Sequence, residues 1–182
     1  MKGSSSYSAM ILRYKATIGE NKLFTRVYDI KGEMNLFKFN QFVVNDLGFA
    51  PDQMILFEGY DSQGRMTGEY GLFDMGDGSM DRVTFEQTLA KEESELHFVF
   101  DMRNDRWLKL EYVGEGDFSP MRAYPYLVEE KGSAPDQFKK TVEEVVPVAK
   151  PLGDDFDDDD FDDEDSEEDS DDETEEIYDE NE

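Results

Sequence analysis

The chain of 182 residues contains no cysteine, and His97 is its single histidine. The first absence excludes a disulfide framework, a thiol nucleophile and a cysteine-ligated zinc site. The second excludes a multi-histidine metal centre. Bases are scarce as well: 18 Lys+Arg face 46 Asp+Glu, for a formal net charge of −28. A polyanion repels phosphate, and no basic cluster offsets that repulsion, so direct nucleic-acid binding is disfavoured. No apolar run approaches the roughly 20 residues of a membrane-spanning helix, so no membrane association is expected. Residues 1–9 (MKGSSSYSA) hold one lysine, three consecutive serines and no apolar core. No signal peptide is expected there, and the stretch reads as a disordered lead-in. The lack of cysteine agrees with a cytoplasmic location.

What is present is unevenly distributed. Residues 154–182 include 21 acids and no base, leaving 25 acids against 18 bases in the rest of the chain. The preceding part is thus a mildly acidic domain, and the last 29 residues form a polyacidic tail. Only Phe156, Phe161, Ile177 and Tyr178 are apolar in that tail. So little apolar surface cannot offset the entropy of ordering the chain, and the tail is expected to be disordered. Residues 139–153 contain valines but also Pro147 and Pro151, and read as a linker or a late-packing segment. The folded domain is expected over 10–138.

Within it, Leu12, Tyr14, Ala16 and Ile18 alternate with Arg13, Lys15 and Thr17, the period of a half-buried strand. Gly19-Glu20-Asn21 makes a turn, and Phe24, Tyr28 and Ile30 continue in a second strand of an antiparallel hairpin. Asn35 is placed to cap a helix that runs to 46 or 47 and stops at Gly48. Leu36, Phe39, Val43 and Leu47 form its apolar stripe, with Phe42 widening it and Phe37 and Val44 outside it. A buried strand is expected over 54–57, then a glycine-rich crossing over 59–82 with a short strand at 70–73. Residues 83–90 suggest a helical turn. Leu96, Phe98, Phe100 and Met102 define a strand whose hairpin partner spans 107–113. Residues 124–128 suggest an edge strand, since Pro125 cannot donate to a ladder. Leu56 and Phe98 are expected in the sheet against Leu36, Phe39 and Val43.

This order, hairpin, helix, strand, irregular crossing and strand, resembles a ubiquitin-like β-grasp. Ala50-Pro51-Asp52-Gln53-Met54-Ile55-Leu56-Phe57-Glu58-Gly59 is similar to the turn and third strand after the ubiquitin helix. Val83-Thr84-Phe85 and the run from Leu89 to Phe100 are similar to its last helical turn and final strand. The resemblance implies an α+β fold: a β-grasp-like mixed sheet wrapped on one main helix, with an added C-terminal hairpin. The chain shows no Gly-Gly terminus, so a role as a conjugated modifier is not expected. A second resemblance spans most of 10–138. Phe98-Val99-Phe100-Asp101, Trp107, Leu110, Glu111, Tyr124-Pro125 and the run from Gly132 to Gln137 resemble the Ri-plasmid ORF-3-like family, some members of which are labelled insertion-element passenger proteins. That family shows an aromatic-Asp-Phe-Gly-Asp turn, then Trp, then His two positions on. Asp101 and Trp107 match. Met102 and Arg103 stand in place of Phe and Gly, one extra residue intervenes, and Lys109 replaces the histidine. The resemblance implies no activity.

Catalytic motifs are wanting. His97 lies on the strand face opposite Leu96, Phe98 and Phe100, with no partner or pocket evident, and reads as structural. Asp74 and Asp77 are three apart, which breaks the EF-hand spacing, so they read as caps of a glycine-rich turn. Asp101, Asp105, Glu111 and Glu115 read as solvated surface groups rather than an acid–base pair. Trp107 and Lys109, on one face of the last strong strand, are candidate contact residues, with burial of Trp107 under 124–128 or the segment from Phe138 as the preferred alternative. Phe156, Phe161, Ile177 and Tyr178 are candidate anchors in the tail. The residues thus point to a non-enzymatic protein-interaction module without cofactor or metal, favouring a monomer, whose tail binds or shields basic protein surfaces. The alternatives are a small-ligand protein or enzyme using the crossing 59–82, a tail that serves only solubility, or a tail acting as a weak, nonspecific calcium or magnesium sink.

Overall fold

The computed structural model describes residues 9–138. The chain divides into two units between Thr141 and Val142, and only the first holds described residues. The expectations for 139–153 and 154–182, with Phe156, Phe161, Ile177 and Tyr178, therefore lie outside the described residues, as does the lead-in before Ala9.

Strands β1 (Ile11–Ile18) and β2 (Asn21–Lys31) form the opening hairpin, followed by helix α1 (Leu36–Leu47). Then come β3 (Leu56–Tyr60), β4 (Met66–Tyr70), the short helix α2 (Phe85–Ala90), β5 (Glu95–Asp101), β6 (Arg106–Glu115) and β7 (Tyr126–Lys131). The fold is α+β: one seven-stranded sheet in the order β4-β3-β5-β6-β1-β2-β7, with few helices. Each strand pair is antiparallel, which corrects the expected mixed sheet. The reason is the place of β6, which inserts between β1 and β5 and pairs antiparallel with both.

Local signals explain the helices. The Asn35 side chain accepts the Lys38 N–H at 2.9 Å, and Gly48 takes the left-handed conformation that closes α1. Leu36, Phe39, Val43 and Leu47 are buried as their spacing requires, and Val44 is buried beside them. Phe37 and Phe42 pack partly against the same core. Thr84 and Gln87 form a reciprocal capping box at the start of α2. Backbone bonds tie the two helix starts together, from Leu36 N–H to the Val83 carbonyl (3.0 Å) and from Phe85 N–H to Met34 (3.1 Å). Phe39 of α1 meets Phe85 of α2 edge-on at 5.1 Å, and Tyr28 of β2 meets Phe39 at 5.5 Å.

Four element boundaries differ from the sequence reading. β3 begins at Leu56, so Phe57 faces the helices and Leu56 lies on the opposite face, partly exposed. A shift of one residue exchanges the two faces of a strand. β4 occupies 66–70 rather than 70–73, and Leu72 and Phe73 lie outside the ladder, exposed. β6 runs on to Glu115. β7 starts after Pro125, which has no N–H to give, and forms the sheet edge beyond β2.

The position of β4 follows from a buried acid. Glu93 is fully buried, and the Tyr70 hydroxyl donates to both its carboxylate oxygens at 2.7 and 2.9 Å. Thr67 adds a third bond at 3.1 Å, while Lys91 Nζ donates to the Tyr70 oxygen, also at 3.1 Å. The carboxylate occupies space that only glycine leaves free: a Cβ on Gly59 would lie 2.3 Å from Glu93 Cδ, and one on Gly68 would lie 2.7 Å from Oε1. Burial pushes the Glu93 carboxyl above the usual range, against the lowering pull of Tyr70, Thr67 and Lys91.

Candidate functional site

The sheet face turned away from the helices carries the residues with the most developed side-chain chemistry. Strand alternation sends Leu96, Phe98, Leu108 and Leu110 into the core, and Glu95, His97, Trp107 and Lys109 to the other face. Register then sets them side by side. Glu58, His97 and Lys109 are successive neighbours across β3, β5 and β6, as are Tyr60, Glu95 and Glu111.

The His97 ring is held between two aromatic rings. Tyr60 lies 4.2 Å from it, centroid to centroid, and Trp107 stacks on it at 5.2 Å with planes 19° apart. The His97 Nε2 is 2.7 Å from Glu95 Oε1, and Nδ1 is 3.8 Å from Glu58 Oε2. The Tyr60 hydroxyl donates to the same Glu58 oxygen at 2.8 Å. Lys109 Nζ bridges Glu95 (3.3 Å) and Glu111 (3.6 Å). Burial alone would raise the Glu95 carboxyl, but its bonds with His97 and Lys109 outweigh burial and hold it below the usual range. Because Glu95 is thereby a carboxylate, Nε2 is the donor of the His97–Glu95 bond. Partial burial would lower the Lys109 ammonium, and its two glutamate partners instead raise it. Burial and the bond to Glu58 push the Tyr60 hydroxyl up to about 12.

Chemically, this row is a rigid, polarised aromatic plate. One ring nitrogen of His97 is bonded to Glu95, the other faces Glu58, both ring faces are covered, and its side chain is 13 % exposed. The Tyr60 hydroxyl is engaged by Glu58. Two shallow cavities flank the row. One of about 420 Å³ is bordered by Asp61, Ser94, Glu95 and Glu111, and one of about 230 Å³ by Ile18, Glu20, Arg106 and Trp107. A larger cavity of about 560 Å³ lies away from it, between Met54, Phe100, Arg103 and Phe138.

Of the candidate contact residues, the structure brings Trp107 and Lys109 together on this face, both half-buried. The preferred cover for Trp107 is corrected in one part: β7 lies at the far edge, separated from β6 by β1 and β2. His97, read as structural, is the centre of the row. Glu58, Tyr60 and Glu95 escaped sequence reading. The spacing of Glu58 with Tyr60 and of Glu95 with His97 places each pair on one strand face, but only the register joins the pairs. Asp101 and Glu111 are kept apart: Asp101 binds Asn104 at the β5–β6 turn, while Glu111 faces Glu95 near the other end of the ladder. Asp74 accepts the N–H groups of Gly76 (2.8 Å) and Gly78 (3.0 Å), a capping role that holds its carboxyl below the usual range. Among the described residues no group of His, Asp and Glu is arranged to hold a metal ion, and no helix is long and apolar enough to cross a membrane.

No protein-family model matches the chain. No curated protein sequence matches it. Among solved structures, it is similar to a protein of unknown function from Methanosarcina mazei Go1, with a TM-score of 0.58 and 12% sequence identity over 69% of this chain and 71% of that one. At this identity the likeness is one of fold.

Proposed function

We propose that the chain is a non-enzymatic protein-interaction module of β-grasp type, reading a partner protein through the sheet face that carries Trp107 and using its acidic tail to engage basic surface. The single observation that carries this reading is the Tyr60–His97–Trp107 stack on the face opposite the helices. A half-buried tryptophan held in one orientation loses little entropy on contact and suits a binding anchor. The carboxylates and Lys109 around it satisfy one another, so they set the rim rather than drive chemistry. The tail's contribution rests on its charge: such binding is electrostatic and weakens as salt rises. The β-grasp assignment is supported by the element order and by strand direction, since β1 and β5 run the same way on either side of β6. Membership of the Ri-plasmid ORF-3-like family and a cytoplasmic location are part of the same proposal.

The test compares proteins captured from the native cell extract by the full chain, the chain ending at Pro151 and the Trp107→Ala full chain. The expected result is a set of basic partners lost at high salt and on truncation, and depleted by Trp107→Ala without a change in circular dichroism. Capture that ignores both changes refutes the proposal. Replacing Phe156, Phe161, Ile177 and Tyr178 by Ser at constant charge separates an anchored tail motif, which loses affinity, from charge mimicry, which does not.

A further inference from the structure

The connection between β4 and α2 exposes three large apolar side chains in four residues. Leu72 is 51%, Phe73 83% and Met75 61% exposed. Exposed apolar residues are common singly, but here the backbone holds them in a closed loop. Its ends are joined by the bond from Met80 N–H to the Gly71 carbonyl at 2.9 Å, the geometry of an Ω-loop. Inside, Asp74 Oδ1 accepts the N–H groups of Gly76 and Gly78, and Asp77 Oδ2 accepts that of Glu69 at 3.1 Å. Gly76 (φ 126°) and Gly78 (φ 113°) occupy conformations that side-chain-bearing residues rarely adopt, and a Cβ on Gly78 would lie 2.7 Å from Val83 Cγ2. Both aspartates are thus engaged in building the loop. A loop fixed in this way loses little entropy when it binds.

The surroundings define the partner. Residues 69–81 contain four acids, Glu69, Asp74, Asp77 and Asp81, and two bases border them, Arg82 next in the chain and Lys91, whose Nζ lies 3.4 Å from the Asp77 carbonyl, so the border is acidic by two charges. An acidic border disfavours anionic lipid and favours an apolar surface edged with lysine or arginine. We propose that loop 71–80 is a preformed anchor that sets Leu72, Phe73 and Met75 into an apolar groove bordered by basic residues on a partner protein. This rests on the reading that the partners are basic proteins, and it assigns the apolar part of that contact to a second surface, separate from Trp107.

Two probes test it on the full chain by titration calorimetry: an amphipathic peptide with a leucine stripe bordered by lysines, and an oligolysine of equal charge. The chain is expected to bind the amphipathic peptide more tightly. The triple variant Leu72→Ser, Phe73→Ser, Met75→Ser should lose roughly tenfold or more of that affinity and none for oligolysine. Gly78→Ala keeps every apolar side chain but breaks the loop's geometry, and should show the same selective loss. Equal affinity of wild type and triple variant for the amphipathic peptide overturns the proposal. Loop-dependent binding to phosphatidylcholine vesicles also overturns it, by making lipid the occupant. Absence of salt-sensitive oligolysine binding in wild type defeats instead the basic-partner reading, and the loop proposal with it.

Discussion

Replacing Gly59 by alanine isolates the contact that fixes the β3–β4 end of the sheet. Gly59 is not among the glycines with positive φ, so alanine meets no backbone strain there. Its methyl group would instead lie 2.3–2.6 Å from three atoms of the Glu93 carboxyl group. The carboxylate must move, and with it the two bonds from Tyr70 and the one from Thr67. Overpacking costs about 1–3 kcal/mol and a hydrogen bond to a charged group contributes about 1.5–3 kcal/mol, so a net loss of about 2.5–6 kcal/mol is expected. The decisive measurement is a double-mutant cycle with Glu93→Ala, read by urea unfolding of the full chain. Glu93→Ala removes the obstacle, so Gly59→Ala in that background should cost less than about 1 kcal/mol, giving a coupling of about 2 kcal/mol or more. An equal cost in both backgrounds would refute the contact.

Three further outcomes follow from the same geometry. Burial raises the Glu93 carboxyl in the folded state, so its protonated form is favoured by folding; its contribution is fully present below the ordinary glutamate value and is lost as pH rises through the raised one. The stability of wild type relative to Glu93→Gln should therefore fall across that window, and a pH-independent difference contradicts the assignment. Phe98→Ala, at a fully buried position, should cost about 3–5 kcal/mol, whereas Leu56→Ala on the opposite face should cost about 1 kcal/mol; similar losses in denaturant midpoints would place both on one face. Trp107 is the chain's single tryptophan, so its emission reports the aromatic row directly. His97→Ala uncovers one ring face and should increase acrylamide quenching, while Lys22→Ala should leave it unchanged; no increase argues against the stack.

The residues that specify local structure were readable in the chain itself. Asn35 and Gly48 bound α1 because a cap and a left-handed terminator act through their immediate neighbours. Alternation along β1, β5 and β6 sorted core from surface because a strand's period is two. The capping box of Thr84 and Gln87 was equally local and could have marked α2 from sequence. The placement of β3 and β4 was not local. Leu56 and Phe57 are both apolar, so hydrophobicity does not choose between the faces. The choice is made by pairing Phe57 with Phe98 and Tyr70, and by Glu93 filling the space above Gly59 and Gly68. Likewise, insertion of β6 between β5 and β1 joins segments nearly a hundred residues apart, which no window of sequence contains. The aromatic row shows the same division. Strand alternation alone put His97, Trp107 and Lys109 on the face away from the core. Only cross-strand register placed Tyr60 and Trp107 on either side of His97, because that neighbourhood exists only once β3, β5 and β6 are hydrogen-bonded side by side.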